Sequence, residues 1–100
     1  MNNREKLSHL IGLAQRAGKV ISGEELVIKA IQTGKAQFIF LANDAGVNLT
    51  KKTTDKSHYY NVEVSTVFST LELSAALGKP RKVIAIADAG FSNKMRTLMN

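Results

Sequence analysis

Few side chains in this 100-residue chain can do chemistry, and most are poorly placed for catalysis. The two histidines, His9 and His58, each stand among helical residues with no partner set, so they read as surface residues and not as an acid–base pair. Asp44 and Asp88 each follow an apolar run, the place where open α/β sheets present ligands, and with Asp55 they could gather around a magnesium ion. The competing reading is that they cap helices or shape turns. There is no cysteine, which excludes thiolate chemistry and a disulfide framework; with only two separated histidines, no zinc site is expected either. No glycine-rich phosphate loop with its lysine is present, and no cofactor is expected. The four phenylalanines fall on strands or core helical positions, and one of the adjacent Tyr59 and Tyr60 is expected to pack inward, so no stacking platform is evident.

Positive charge remains. Fourteen Lys and Arg against eight Asp and Glu give a net charge of +6, an excess that suits nucleic acid or another anionic surface. Lys51, Lys52 and Lys56 share one predicted helix, and Lys94 and Arg96 lie near the end of the last; both groups read as solvated faces. Lys79, Arg81 and Lys82 instead bracket the single proline, Pro80, in a loop. Loops on a rigid scaffold are where binding residues tend to sit.

The segment that must position such a site is Ser22–Gly34. Ser22 is expected to cap a short helix, with Glu25 completing a capping box, and Gly34 to close it. At about 100° per residue, Leu26, Val27, Ile28, Ala30 and Ile31 fall in one arc, with Leu26 at its edge and readable as core. Glu25, Lys29, Gln32 and Thr33 fall in the other. Glu25 and Lys29 are spaced i,i+4 in the favourable order, which by itself implies only a helix-stabilising pair of about 0.2–0.5 kcal/mol.

Around this segment, helical and strand patterns alternate. Residues 4–17 read as a helix ended by Gly18, and 19–21 as a very short strand or an extended lead-in. Gln37–Ala42 is a strand buried on both faces, and 43–46 a turn. Residues 48–59 read as a helix and Val62–Val67 as a half-exposed strand. Thr70–Leu77 is a helix capped by Thr70 and closed by Gly78; Val83–Ala87 is a second buried strand followed by a turn at 88–90. Phe91, Met95 and Leu98 mark a terminal helix. This order predicts an α/β fold: a three-layer α-β-α sandwich in one domain spanning residues 1–100.

Gly23-x-x-x-x-x-Lys29-Ala30-Ile31-x-x-Gly34 directly before a strand resembles the ribosomal L7Ae/L30e/S12e family of kink-turn RNA binders. Ser22-Gly23-Glu24-Glu25-Leu26-Val27 and the later Asp88-Ala89-Gly90-Phe91 are similar in particular to its bacterial YlxQ-like branch. The resemblance covers nearly the whole chain. It implies a mixed sheet of about four strands and a non-enzymatic protein that recognises kink-turn-like structured RNA, associated with the ribosome or translation. It also implies contacts from the start of the central helix (Ser22, Gly23, Glu24, Glu25, Lys29) and from the loop before the last strand (Gly78, Lys79, Pro80, Arg81). Glu25 and Leu26 stand where the family usually has asparagine and glutamate. Gly46 replaces an acidic residue, and Lys79 a typically apolar one. A carboxylate at Glu25 can still accept from guanine imino and amino groups, while Lys29 can donate to O6 or N7.

Two other functions stay open on the residues alone: a protein-interaction module on the same scaffold, and a small magnesium-dependent enzyme built on Asp44 and Asp88. Met1–Lys6 lacks the apolar run of a secretory signal, and no apolar stretch is long enough to span a bilayer. A cytoplasmic monomer is therefore expected.

Overall fold

The computed structural model describes residues 2–99. Helices α1 (Asn3–Arg16), α2 (Glu24–Gln32), α3 (Val47–Tyr59), α4 (Thr70–Leu77) and α5 (Ala89–Met99) alternate with strands β1 (Val20–Ser22), β2 (Phe38–Leu41), β3 (Glu63–Ser65) and β4 (Val83–Ile86). The strands form one mixed sheet in the order β1-β4-β2-β3. β4 runs antiparallel to both β1 and β2, and β2 runs parallel to β3. The second apolar strand and the short lead-in thus become a central strand and its edge neighbour.

Every residue of β2 and β4 is buried, as their unbroken apolar runs require of strands covered on both faces. Their side chains alternate between two cores. Phe38, Phe40, Ile84 and Ile86 meet Leu7, Leu10, Ile11, Ala14, Leu73, Leu77 and Met95 from α1, α4 and α5. Ile39, Leu41, Val83 and Ala85 meet Val27, Ile28, Ala30 and Ile31 of α2, with Leu49 of α3 packed alongside. The expected three-layer sandwich is the architecture found.

Several local expectations are corrected. β3 is shorter than Val62–Val67, because Thr66–Phe68 leave the ladder and bury Phe68 in the first core from a loop. The cap of α4 is Ser69, not Thr70. The Ser69 hydroxyl accepts from the Glu72 amide at 3.1 Å and the Glu72 carboxylate accepts from the Ser69 amide at 2.9 Å, a complete capping box. Residues 89 and 90 begin α5 instead of forming a turn, since Asp88 Oδ2 accepts from the Phe91 amide at 2.8 Å and starts the helix there. Neither tyrosine packs inward. The inward positions of α3 are Thr53 and Ser57, and Tyr59 and Tyr60 fall past them, 80% and 41% exposed.

Candidate nucleic-acid interface

The junction between β1 and α2 is tighter than a capping box allows. Ser22 is still in the sheet, paired with Ile84, and the Gly23 amide donates to the Val83 carbonyl at 3.1 Å. Gly23 is therefore the residue that must turn the chain. It does so at φ 95° and ψ 150°, backbone that essentially only glycine adopts without strain. The helix then starts at Glu24 with no side-chain cap among the described residues. The expected Ser22–Glu25 box is absent because the sheet holds Ser22. The open amides and the positive end of the helix dipole face the same side as Glu24 and Glu25, which the dipole favours there.

The Ser22 hydroxyl instead accepts from Arg81 Nε at 3.1 Å. Arg81 lies in the loop between α4 and β4, which Gly78 opens in the left-handed conformation at φ 81°. Ser74, on α4, clasps that loop: its hydroxyl accepts from the Arg81 amide at 3.1 Å and donates to the Arg81 carbonyl at 3.3 Å. Arg81 Nη1 donates to the Pro80 carbonyl at 2.6 Å. The half-buried guanidinium is thus fixed in direction, with the other donors of its fork uncommitted among the described residues.

Two grooves flank Arg81. The larger, about 500 Å³, lies between β1 and α2 and is lined by Ser22, Leu26, Lys29, Lys35, Lys79 and Arg81 over an apolar floor of Val20, Ile21 and Ala30. The smaller, about 300 Å³, is lined by Gly23, Glu24, Pro80, Arg81 and Lys82, with Leu49 and Thr70 behind them. Eight of the nine expected residues meet here, seven as lining and Gly78 as the bend that shapes the loop. Glu25 lines neither groove and is exposed. Its expected pairing with Lys29 is not formed; the ion pairs among the described residues are Arg4–Glu72, Lys52–Glu24 and Arg96–Glu63. Leu26 is 59% exposed on the groove wall and is not a core residue.

Sequence reasoning missed Ser74, Lys35 and Lys52. Ser74 looked like one more residue of an apolar helix, and nothing local reveals a bond to the loop beyond it. Lys52, on α3, reaches Glu24 at 3.4 Å and offsets the carboxylate that stands nearest the helix start. The bond from α4 to Asp44 was missed too: the Thr70 hydroxyl and amide donate to Asp44 Oδ1 at 2.6 and 2.8 Å, and these bonds hold its carboxyl below the usual range. The bonds from Ser69, led by its amide, do the same for Glu72.

The magnesium reading fails on topology. Because β2 and β4 are antiparallel, Leu41 pairs with Val83 at one end and Phe38 with Ile86 at the other. Asp44 follows Leu41 and Asp88 follows Ile86, so they lie at opposite ends of the sheet, each engaged with a helix start. Among the described residues no cluster of three or more His, Asp or Glu could hold a metal ion. His9 and His58 are exposed helical residues, as expected.

Residues 5–96 match the ribosomal protein L7Ae/L30e/S12e/Gadd45 family, and the chain belongs to it. It is 52% identical over 97 residues to the RNA-binding protein YlxQ of Enterococcus faecium, covering 97% of this chain and 94% of that one. To the YlxQ protein of Bacillus subtilis strain 168 it is 47% identical over 92 residues, covering 91% and 92%. A solved structure from Bacillus halodurans, of a protein described as having unknown function, superposes with a TM-score of 0.90 at 42% identity, over 94% of this chain and 96% of that one.

Proposed function

We propose that this protein is a non-enzymatic RNA-binding protein that recognises kink-turn-like structured RNA through the β1–α2 junction and the Gly78–Arg81 loop, in the cytoplasm and in association with ribosomal or other translation RNA. The observation that carries the reading is that Lys29 of α2 and Lys79 and Arg81 of the loop before β4, distant in the sequence, line one groove beside the open amino terminus of α2. Family membership and relatives named as RNA-binding proteins support the partner class.

The chemistry follows from the groove. Lys29 and Lys79 supply mobile ammonium groups, which neutralise phosphate at short range and can donate to guanine O6 or N7. Arg81, held by Ser22 and Pro80, offers a pre-oriented fork to a backbone phosphate. Glu25, exposed and outside both grooves, is available to accept from a guanine edge opened by the bend. Kinked RNA suits the surface because it exposes base edges and places phosphates of two helical arms close together.

The test is a pair of variants. Lys29→Ala and Arg81→Ala should each weaken binding of a kink-turn RNA by about tenfold, the scale of one lost charge-assisted contact, with unchanged circular dichroism. Wild-type affinity should fall with salt with a logarithmic slope of several. Unaltered affinity in both variants would move the interface elsewhere.

A further inference from the structure

A second surface stands apart from these grooves. Tyr59 and Tyr60, at the end of α3, form an edge-to-face pair with ring centroids 4.9 Å apart and planes at 72°. Both are exposed, Tyr59 at 80%. Beside them Lys52, Asp55 and Lys56 complete a cleft of about 550 Å³. A ring that meets its neighbour edge-on keeps its own faces for another partner. Leaving most of Tyr59 in water is unfavourable, and the core does not need it: α3 buries Thr53 and Ser57 instead.

We propose that this cleft binds a single-stranded stretch of RNA, an unpaired base stacking on Tyr59 while Lys52 and Lys56 track the flanking phosphates. The inference rests on the RNA-binding reading, and Tyr59, Tyr60, Asp55 and Lys56 take no part in the kink-turn site, while Lys52 is shared through its contact with Glu24. Two observations favour RNA over a protein segment. The cleft lining carries Lys52 and Lys56 against the one carboxylate of Asp55, and the exposed Lys52–Glu24 pair can yield to a phosphate, which suits a polyanion. It is also continuous with the first interface, since Lys52 reaches Glu24, a lining residue of the groove beside Arg81. Stacking on an aromatic side chain is sequence-tolerant and contributes enough per base to hold a strand that leaves a folded element. A kinked RNA whose arm ends in an unpaired extension would then touch both surfaces.

The sequence supplies its own reporter. The chain has no tryptophan, and Tyr59 and Tyr60 are its only tyrosines, so its tyrosine emission reports on this cleft alone. Titration with a short oligo-uridine, corrected for absorbance, should quench that emission. Tyr59→Ala should weaken oligo-uridine binding by about tenfold, as loss of one stacked base does, and Tyr59→Phe should retain it. Closure of an end-labelled internal-loop RNA, measured in parallel, should be the same in Tyr59→Ala as in wild type. Unquenched emission, or oligo-uridine affinity unchanged in Tyr59→Ala, would overturn the inference and leave the cleft to a protein partner. Equal loss in Tyr59→Phe and Tyr59→Ala would overturn stacking in favour of the hydroxyl. If oligo-uridine quenches as expected while the internal-loop RNA fails to close, the cleft stands and the kink-turn reading falls.

Discussion

Arg81 Nε donates to the hydroxyl of Ser22 at 3.1 Å, a bond between residues 59 apart in sequence that ties the loop before β4 to the junction where β1 becomes α2. It joins the two parts of the proposed RNA surface into one rigid unit. Without it the loop would still be clasped by Ser74 and Nη1 would still reach the Pro80 carbonyl, but nothing would tie the guanidinium to β1.

That bond can be tested on its own. Ser22→Ala should cost at most about 1 kcal/mol of stability, the usual net value of one hydrogen bond, because it removes a half-buried acceptor while Arg81 can turn to water. Arg81→Lys keeps the charge and loses both the Nε bond and the fork, so it should recover only part of the affinity that Arg81→Ala loses. Urea unfolding and RNA titration of the variants check both. Full recovery in Arg81→Lys would show that charge alone matters there.

Two copies of one local pattern explain what the sequence could and could not reveal. Ser22-x-x-Glu25 and Ser69-x-x-Glu72 both spell a capping box, and only the second forms one. Ser69 follows a loop and is free to cap, whereas Ser22 is held in register against Ile84 and its hydroxyl is engaged by Arg81. Tertiary demands override a local signal at the very place proposed to bind. The layered fold was legible because β2 and β4 are continuous apolar runs between amphipathic helices, and that pattern depends on neither bond partners nor register. Leu26 went the other way: its position on the apolar arc could not reveal that β1 is an edge strand, leaving a groove where a core would otherwise be. Gathering Lys29, Lys79 and Arg81 needed the resemblance, since residues 50 apart carry no mark of adjacency.

Glu25 now has a sharper test. It has no capping role and forms no ion pair among the described residues, so Glu25→Gln should change stability by less than about 0.5 kcal/mol, as an exposed substitution does. Its effect on RNA affinity is then free of folding effects. Affinity should fall if the carboxylate accepts from guanine, which is the outcome expected. Titration calorimetry showing a rise would place Glu25 against phosphate instead.

Acid should act through the start of α4. The carboxyls of Asp44 and Glu72 titrate below their ordinary range, Asp44 because of the Thr70 hydroxyl and amide and Glu72 chiefly because of the Ser69 amide. The native state therefore binds those protons less readily than the unfolded chain. Their contribution is fully present above the unfolded carboxylate pKa of about 4 and disappears as pH falls through the lower native values. Urea midpoints measured across that window should decline less steeply in Asp44→Asn and in Glu72→Gln than in wild type. Parallel declines in all three proteins would remove these caps from the acid response.

Whether the surface reads a bend decides the functional proposal. The β1–α2 junction and the Gly78–Arg81 loop can touch two sides of a kink but not two sides of a straight duplex, so the protein should favour the kinked conformer by its differential affinity. Phosphate attraction alone would bind any duplex of equal charge alike. The measurement is a titration, at physiological salt, of an end-labelled internal-loop RNA with tandem G·A pairs against a fully paired RNA of the same length. The predicted result is a preference of at least about tenfold, or roughly 1.4 kcal/mol, with the arms of the internal-loop RNA drawing together as protein is added; equal affinity for both RNAs and no change in arm distance would contradict it.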